Sequence, residues 1–190
     1  MSTTQPIRDK KQISELSNYY LDRGQIRNHL LIVLSVHTAL RISDILRLTW
    51  DDVYDFDNSR VRKSITIAEK KTKKAKTIAL HQQIIKALTV YAQVSKKRVP
   101  LFLNKRTGKA ISRTQAYRII RTAAEKLQFQ ARVSCHSLRK TFGYHAWKSG
   151  VSPVIIMDIY NHSSLATTRR YLGVTQDDKN AVYVGLNLIG

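Results

Sequence analysis

Five side chains in this sequence are of types that can act together on a phosphodiester: Arg41, His136, Arg139, His162 and Tyr171. Arginine holds two non-bridging oxygens with paired donors, histidine exchanges protons near neutral pH, and a tyrosine hydroxyl can serve as a covalent nucleophile. His136 and Arg139 are three residues apart, so on a helix they share one face. Each side chain also has an ordinary alternative, such as a surface arginine, a histidine held by a backbone carbonyl, or a tyrosine used in packing.

Three short motifs, in a fixed order along the chain, favour the chemical interpretation. The first is Thr-Ala-Leu-Arg-Ile-Ser-Asp-Ile-Leu at 38–46, the second is His136-Ser-Leu-Arg139, and the third is Asn-His-Ser-Ser at 161–164, followed by Tyr171. With these motifs the chain resembles the catalytic domain of the tyrosine recombinases, the phage-integrase family, from about residue 6 to about residue 173.

The resemblance implies a reaction and a role for each residue. A site-specific DNA recombinase or integrase of this family cleaves and rejoins strands through a 3′-phosphotyrosyl intermediate. Tyr171 would be the nucleophile, Arg41 and Arg139 would hold the scissile phosphate, and His136 and His162 would assist. The phosphotyrosyl link stores the bond energy, so no nucleotide cofactor is required, and the sequence has no P-loop glycine pattern. No pair of histidines has convincing metal-ligand spacing, so we expect no metal.

A lysine-rich stretch at 70–76, Lys-Lys-Thr-Lys-Lys-Ala-Lys, is predicted to form the tip of a β-hairpin. Such a turn is usually solvated, and attraction of phosphates is its next most common role. The resemblance implies more, because the family places a catalytic lysine at the first position of a Lys-Thr-Gly-like turn on this hairpin. Lys71 fits that position best and would be the general acid that protonates the departing 5′-oxygen. Lys73 stands where the family has glycine and is the second candidate.

Residues beside the motifs raise two further expectations. A shielded Arg41 needs an anionic partner, either Asp44 or a substrate phosphate. The resemblance favours the phosphate, and Asp44 is then expected to orient an arginine. Next to the third motif, Tyr160 replaces a leucine and Asn161 a glycine that are usual in the family, while the gap between histidine and tyrosine is intact.

Composition indicates the class of partner. The chain has 33 Lys+Arg against 13 Asp+Glu, a formal charge of +20, which favours a polyanion, with nucleic acid ahead of an acidic membrane. No apolar run approaches the length of a membrane span, and the first residues lack the apolar segment of a signal peptide. We therefore expect a cytoplasmic protein, associated with the nucleoid of a prokaryote. A single cysteine, Cys135, excludes an internal disulfide and a multi-cysteine zinc site.

The patterning predicts an α+β fold that is mainly α, with a small three-stranded antiparallel sheet. Strands are expected at 53–56, around 61–67 and at 77–80. Ile26–Thr38 is apolar nearly all round, so it is predicted to be a buried central helix. Further helices are expected from Asp9 to Leu21, over Ile42–Leu48, around 84–92, from Ser112, from the second motif to Gly150, from Ser152-Pro153, and from 175–178 onward.

Domain organisation follows from where the motifs fall. We expect a catalytic domain over 1–173 and a C-terminal segment over 174–190 that docks on a neighbouring protomer. The first arginine motif starts near residue 38, so no N-terminal core-binding domain is expected. By resemblance, the working unit on double-stranded DNA is a homotetramer, and without DNA the chain is a monomer or weak oligomer.

Other functions explain part of these observations. A type IB topoisomerase would use the same tyrosyl chemistry as a monomer, and a non-catalytic DNA-binding protein would account for the charge of +20. The acidic group Asp51, Asp52, Asp55 and Asp57 would suit a metal-dependent nuclease, but it more simply marks a turn and a strand edge.

Overall fold

The computed structural model describes residues 4–71, 74–95 and 100–188. In that part of the chain there are ten α-helices and four short strands. The helices are α1 Lys10–Leu21, α2 Ile26–His37, α3 Ile42–Ile45, α4 Trp50–Val53, α5 Gln82–Val94, α6 Arg113–Lys126, α7 Cys135–Lys148, α8 Pro153–Tyr160, α9 Leu165–Leu172 and α10 Gln176–Gly185. The strands are β1 Tyr54–Asp55, β2 Arg60–Val61, β3 Ser64–Ala68 and β4 Ala75–Ala79.

Helix α2 is the centre of the fold, as its apolar sequence predicts. Every residue from 28 to 36 is buried, and α1, α5, α6 and α7 pack around it. A helix that is apolar on all sides can bury its surface only in this way. The short helix α3 follows at the end of α2 and stops at Ile45, three residues earlier than the sequence predicts.

Side-chain caps fix where several helices begin. Asp9 accepts a hydrogen bond from the Lys11 N–H at 2.8 Å and starts α1, and Ser112 and Gln115 form the predicted capping box of α6. Ser152 caps α8 and is followed by a proline in its first turn. Each such cap typically contributes about 1 kcal/mol. The sequence therefore predicted these starts correctly.

The strands correct one prediction, because the described residues contain two two-stranded antiparallel sheets and no three-stranded one. β1 pairs with β2, and β3 pairs with β4 from Ser64↔Ala79 to Ala68↔Ala75. The extended segment around 61–67 was predicted to be one strand, but it is interrupted between β2 and β3. At that break the Arg62 N–H bonds to the Val53 carbonyl and the Lys63 carbonyl accepts from the Leu80 N–H. The two halves thus pair with different neighbours.

None of the helices in the described ranges combines the length and the apolar character that a membrane crossing requires.

Candidate active site

Arg41 stands at the junction between α2 and α3, where it is the N-cap residue of α3. The chain turns toward it through Ala39, which is fully buried and has a φ of 56°. Left-handed backbone at an alanine costs about 1 kcal/mol, and such conformations concentrate at functional sites. The Arg41 side chain is 22% exposed, so it is reachable from solvent.

His136 and Arg139 lie in the first turns of α7, which begins with a capping box formed by Ser134 and Ser137. Arg139 is only 3% exposed. One of its nitrogens, Nη2, donates to the Tyr160 carbonyl at 3.1 Å, and its guanidinium carbon lies 4.7 Å from the centre of the Tyr160 ring. In the described part of the chain, Nε and Nη1 of Arg139 have no hydrogen-bond partner. A buried guanidinium with two free donors is suited to a phosphate that brings two acceptors.

The aromatic ring of Tyr171, on the last turn of α9, contacts both histidines of the site. Its centre lies 4.6 Å from that of His162 and 4.8 Å from that of His136, each approaching edge to face. The Thr168 hydroxyl lies 3.0 Å from Nδ1 of His162 and fixes that ring. The structure therefore brings together the side chains at 41, 136, 139, 162 and 171 that the motifs selected.

Burial and neighbouring cations keep both imidazoles neutral. Burial, with the charges of Arg139 and Arg41, lowers the pKa of His162 to about 4. Burial also lowers the pKa of His136, and the charges of Lys140, Arg139 and Arg41 lower it further. The group is a concentration of positive charge around neutral rings, which is an environment that favours a bound anion.

Glu69 is a residue of this site that the sequence did not reveal. Its side chain is fully buried, and its Oε2 accepts from Nη1 of Arg41 at 3.0 Å and from Nδ2 of Asn161 at 2.9 Å. Asp44, which was expected to orient an arginine, instead accepts from the Lys70 N–H at 2.9 Å. Asp44 is thus not the carboxylate that holds Arg41, because it faces the hairpin. Only the position of Glu69, directly before the lysine-rich turn, could have drawn attention to it.

Of the lysines at the hairpin, Lys71 is exposed at the tip, and its charge contributes to lowering the pKa of His162. Lys73, the second candidate, lies outside the described residues. Lys76, on β4, was not selected from the sequence. It is partly buried and donates to the Ile159 carbonyl at the end of α8, and burial lowers its pKa.

The remaining histidines with side-chain hydrogen bonds have structural roles. His29, His37 and His145 each bond a backbone carbonyl, and His81 caps α5.

In the acidic group, Asp52 completes the capping box of α4 and Asp55 bonds Asn58 and Arg60. Across the described ranges, no three His, Cys, Asp or Glu side chains are grouped so that they could hold a metal ion.

A model of the phage integrase family matches residues 8–177 of the chain. A probable integrase/recombinase, YoeC of Bacillus subtilis (strain 168), is 37% identical over 183 residues, covering 96% of this chain and 97% of that protein. A tyrosine recombinase XerD of Corynebacterium glutamicum is 30% identical over 165 residues, covering 84% of this chain and 52% of that protein. The chain thus spans about half the length of XerD, and nearly all of YoeC.

Solved structures share the fold. XerA recombinase superposes with a TM-score of 0.77 at 21% identity, covering 96% of this chain and 66% of that one. The catalytic domain of bacteriophage HP1 integrase superposes with a TM-score of 0.61 at 19% identity, covering 97% of this chain and 96% of that one. At these identities the likeness concerns the fold alone.

Proposed function

The chain belongs to the phage integrase family, and on that premise we propose that it is a site-specific recombinase that cleaves and rejoins DNA strands through a 3′-phosphotyrosyl intermediate. The observation that carries the proposal is the buried Arg139 guanidinium, with two donors that no described residue occupies, beside a tyrosine whose ring contacts two imidazoles.

In the first step, Tyr171 attacks the phosphorus. The bond between the tyrosine oxygen and phosphorus forms while the bond from phosphorus to the 5′-oxygen breaks. Arg41 and Arg139 hold the non-bridging oxygens, where negative charge grows in the transition state. His136 accepts the phenolic proton, and His162 donates from Nε2 to a non-bridging oxygen while Thr168 holds its Nδ1. Low pKa values of both imidazoles support the neutral forms that these roles need.

The departing 5′-oxygen needs a proton, because an alkoxide is a poor leaving group. Lys71 supplies it, with Lys73 as the alternative at the same turn. Rejoining reverses both proton transfers when a 5′-hydroxyl attacks the phosphotyrosyl link. The energy of the broken bond is conserved in that link, so the reaction needs no nucleotide cofactor.

The partner is double-stranded DNA, and the charge of +20 favours its binding. XerH recombinase, at a TM-score of 0.74 and 18% identity over 97% of this chain and 55% of that one, was solved bound to its difH substrate. We place the protein in the cytoplasm, at the nucleoid of a prokaryote.

Strand exchange between two duplexes requires several protomers, and a homotetramer on DNA is the assembly we propose. The C-terminal segment from 174 onward would dock on the neighbouring protomer. Helix α10 supports this, because it buries no residue of its own and several of its apolar side chains are exposed: Val182, Tyr183, Val184 and, after the helix, Leu186 and Leu188.

The test is covalent capture on nicked duplexes of random sequence. Cleavage near the nick releases a short strand that diffuses away with its 5′-hydroxyl, so rejoining is prevented and the protein stays attached to the DNA. We expect a DNA adduct that survives denaturation, a consensus sequence among the captured strands, and attachment at Tyr171 by mass spectrometry. Adducts without a consensus, together with relaxation of supercoiled plasmid by a monomer, would favour a type IB topoisomerase. DNA binding with no adduct would favour a non-catalytic DNA-binding protein.

A further inference from the structure

We infer that two side-chain contacts tie the β3–β4 hairpin to the turn carrying His162, which makes Glu69, Lys76 and Asn161 positioning residues for the proton-donating lysine. The inference rests on the proposed recombinase chemistry, in which the hairpin supplies the general acid. It concerns how that acid is held against the leaving group.

The first contact starts from the strand that leads into the hairpin tip. Glu69 directly follows β3 and precedes Lys71 by two residues. Its Oε2 accepts a hydrogen bond from Nδ2 of Asn161 at 2.9 Å. Asn161 is the residue immediately before His162. The carboxylate is fully buried and also accepts from Arg41 at 3.0 Å. A buried carboxylate is strongly disfavoured without such partners, so the glutamate and the turn hold each other.

The second contact starts from the returning strand. Lys76, on β4, donates its ammonium to the carbonyl of Ile159. Ile159 and Asn161 flank Tyr160 at the end of α8, so both strands of the hairpin are attached to one short segment. Two attachment points prevent the hairpin from pivoting about either one.

A third contact, from the Lys70 N–H to Asp44 at 2.9 Å, holds the hairpin to α3 and not to the turn that carries His162. Ala68, Lys70, Lys71, Lys74 and Ala75 are all exposed. A mobile tip would place the lysine correctly only part of the time, and small displacements of a reacting group are costly to the rate. The two contacts therefore set the distance between the lysine on the hairpin and the phosphate pocket beside His162.

Asn161 gives a substitution that removes one contact without disturbing the backbone. It has a φ of 51° and forms the C-cap of α8, a left-handed conformation that glycine adopts without strain. Asn161→Gly should fold normally, keep the Arg41–Glu69 ion pair, and lose only the amide that reaches the hairpin. Lys76→Met removes the second contact while keeping most of the side-chain volume.

The experiment compares two nicked substrates carrying the captured consensus site, one with oxygen and one with sulfur as the bridging 5′ atom of the scissile phosphate. A thiolate leaves without a proton, so the sulfur substrate does not need the general acid. For Asn161→Gly and Lys76→Met we expect the oxygen substrate to be cleaved about tenfold more slowly than by the unmodified protein. Cleavage of the sulfur substrate should change by less than about twofold.

Two further variants calibrate the result. Lys71→Ala should show the same selective loss to a greater extent. Thr77→Val removes the hydroxyl contact of 2.9 Å between Thr66 and Thr77 on the same hairpin, away from α8, and should cleave both substrates as the unmodified protein does.

Equal losses on both substrates for Asn161→Gly, or no loss on either, would overturn the positioning role. Should Lys76→Met fail to fold, the Asn161→Gly result decides alone. If the unmodified protein forms no adduct with either substrate, the proposed function itself is wrong and the inference falls with it. If it cleaves both but the variants show no selectivity, only the inference is wrong.

Discussion

Arg41 is paired with Glu69, a carboxylate 28 residues further along the chain, at 3.0 Å between Nη1 and Oε2. The glutamate is fully buried and the arginine side chain is 22% exposed, so the pair joins a buried carboxylate to a guanidinium that solvent can reach. One side of the guanidinium is thereby held by protein while the other can meet a phosphate.

Glu69→Gln should lower the free energy of unfolding by about 2 kcal/mol, because it removes the counter-ion of Arg41 while keeping the side-chain shape. Partial hydration of the guanidinium limits this loss of stability. Urea denaturation measures the change in the free energy of unfolding. The matched control is Glu15→Gln on α1, where the exposed contact of 3.9 Å with Lys11 should contribute less than about 0.5 kcal/mol. Equal midpoints for the two variants would show that the buried pair does not stabilise the fold.

The sequence was sufficient for the elements that local chemistry determines. The apolar run of α2, the cap at Asp9 and the capping box at Ser112 each depend on residues within a few positions, and all three were predicted correctly. The family was recognised from three motifs, and this recognition is confirmed by the family model over residues 8–177.

Contacts between distant segments were not predictable in the same way. Glu69 meets Asn161 across 92 residues and Lys76 meets Ile159 across 83, and no periodicity or spacing encodes such meetings. The predicted three-stranded sheet was wrong for a related reason. Alternation of side chains over 61–67 predicts an extended segment, but hydrogen bonds to two different neighbours divide it into two strands.

Tyr171→Phe should abolish the covalent DNA adduct, because it removes the attacking oxygen. The ring contacts with both histidines remain, so unfolding should change by less than about 0.5 kcal/mol and DNA affinity by less than about twofold. Denaturing gels and fluorescence anisotropy measure the two quantities. Tyr117→Phe, which loses the exposed hydroxyl that accepts a hydrogen bond from Arg132, serves as the control and should keep the adduct. A persistent adduct in Tyr171→Phe would exclude this tyrosine as the nucleophile.

Stability should fall in mild acid because His162 titrates differently in the folded and unfolded chain. Its pKa is about 4 when folded, mainly through burial, against about 6.5 when unfolded. The unfolded chain therefore binds more protons between these values, so the contribution is fully present above about pH 6.5 and is lost as the pH falls toward 4.

Between pH 7 and pH 5, the loss in the free energy of unfolding should be about 1 kcal/mol smaller in His162→Asn than in the unmodified protein. This value is reduced for solvent screening. Urea denaturation at the two pH values tests it, comparing each variant with itself. His29→Asn is the comparison, since the ring of that histidine bonds the carbonyl of Ser17 on α1. Identical pH dependence in the unmodified protein and His162→Asn would contradict the lowered pKa.

Gly143 and Tyr160 should be coupled, because α7 and α8 approach closely where they meet. The Tyr160 hydroxyl accepts from the Gly143 N–H at 2.8 Å and donates to the Arg139 carbonyl at 2.6 Å. A Cβ at position 143 would overlap that hydroxyl and its ring. Gly143→Ala should therefore destabilise the protein by about 2 kcal/mol.

Gly143→Ala should cost about 1 kcal/mol less in a chain that also carries Tyr160→Leu, because the smaller side chain leaves space for the added methyl group. A double-mutant cycle followed by thermal and urea unfolding measures the coupling. Strictly additive effects of the two substitutions would show that the close approach does not constrain either residue.

Val184→Asp should separate assembly from folding. Val184 is 88% exposed on α10, so a charge there should change the free energy of unfolding by less than about 0.5 kcal/mol. If the C-terminal segment docks on a neighbour, the same charge would be buried at an apolar contact, which is costly, and the tetramer on DNA should be lost. Light scattering of the DNA complex measures the assembly, and capture on nicked DNA should still yield adducts.

The control is Val94→Asp, an exposed valine at the end of α5, which should assemble normally. A tetramer retained by Val184→Asp would mean that α10 is not the docking segment.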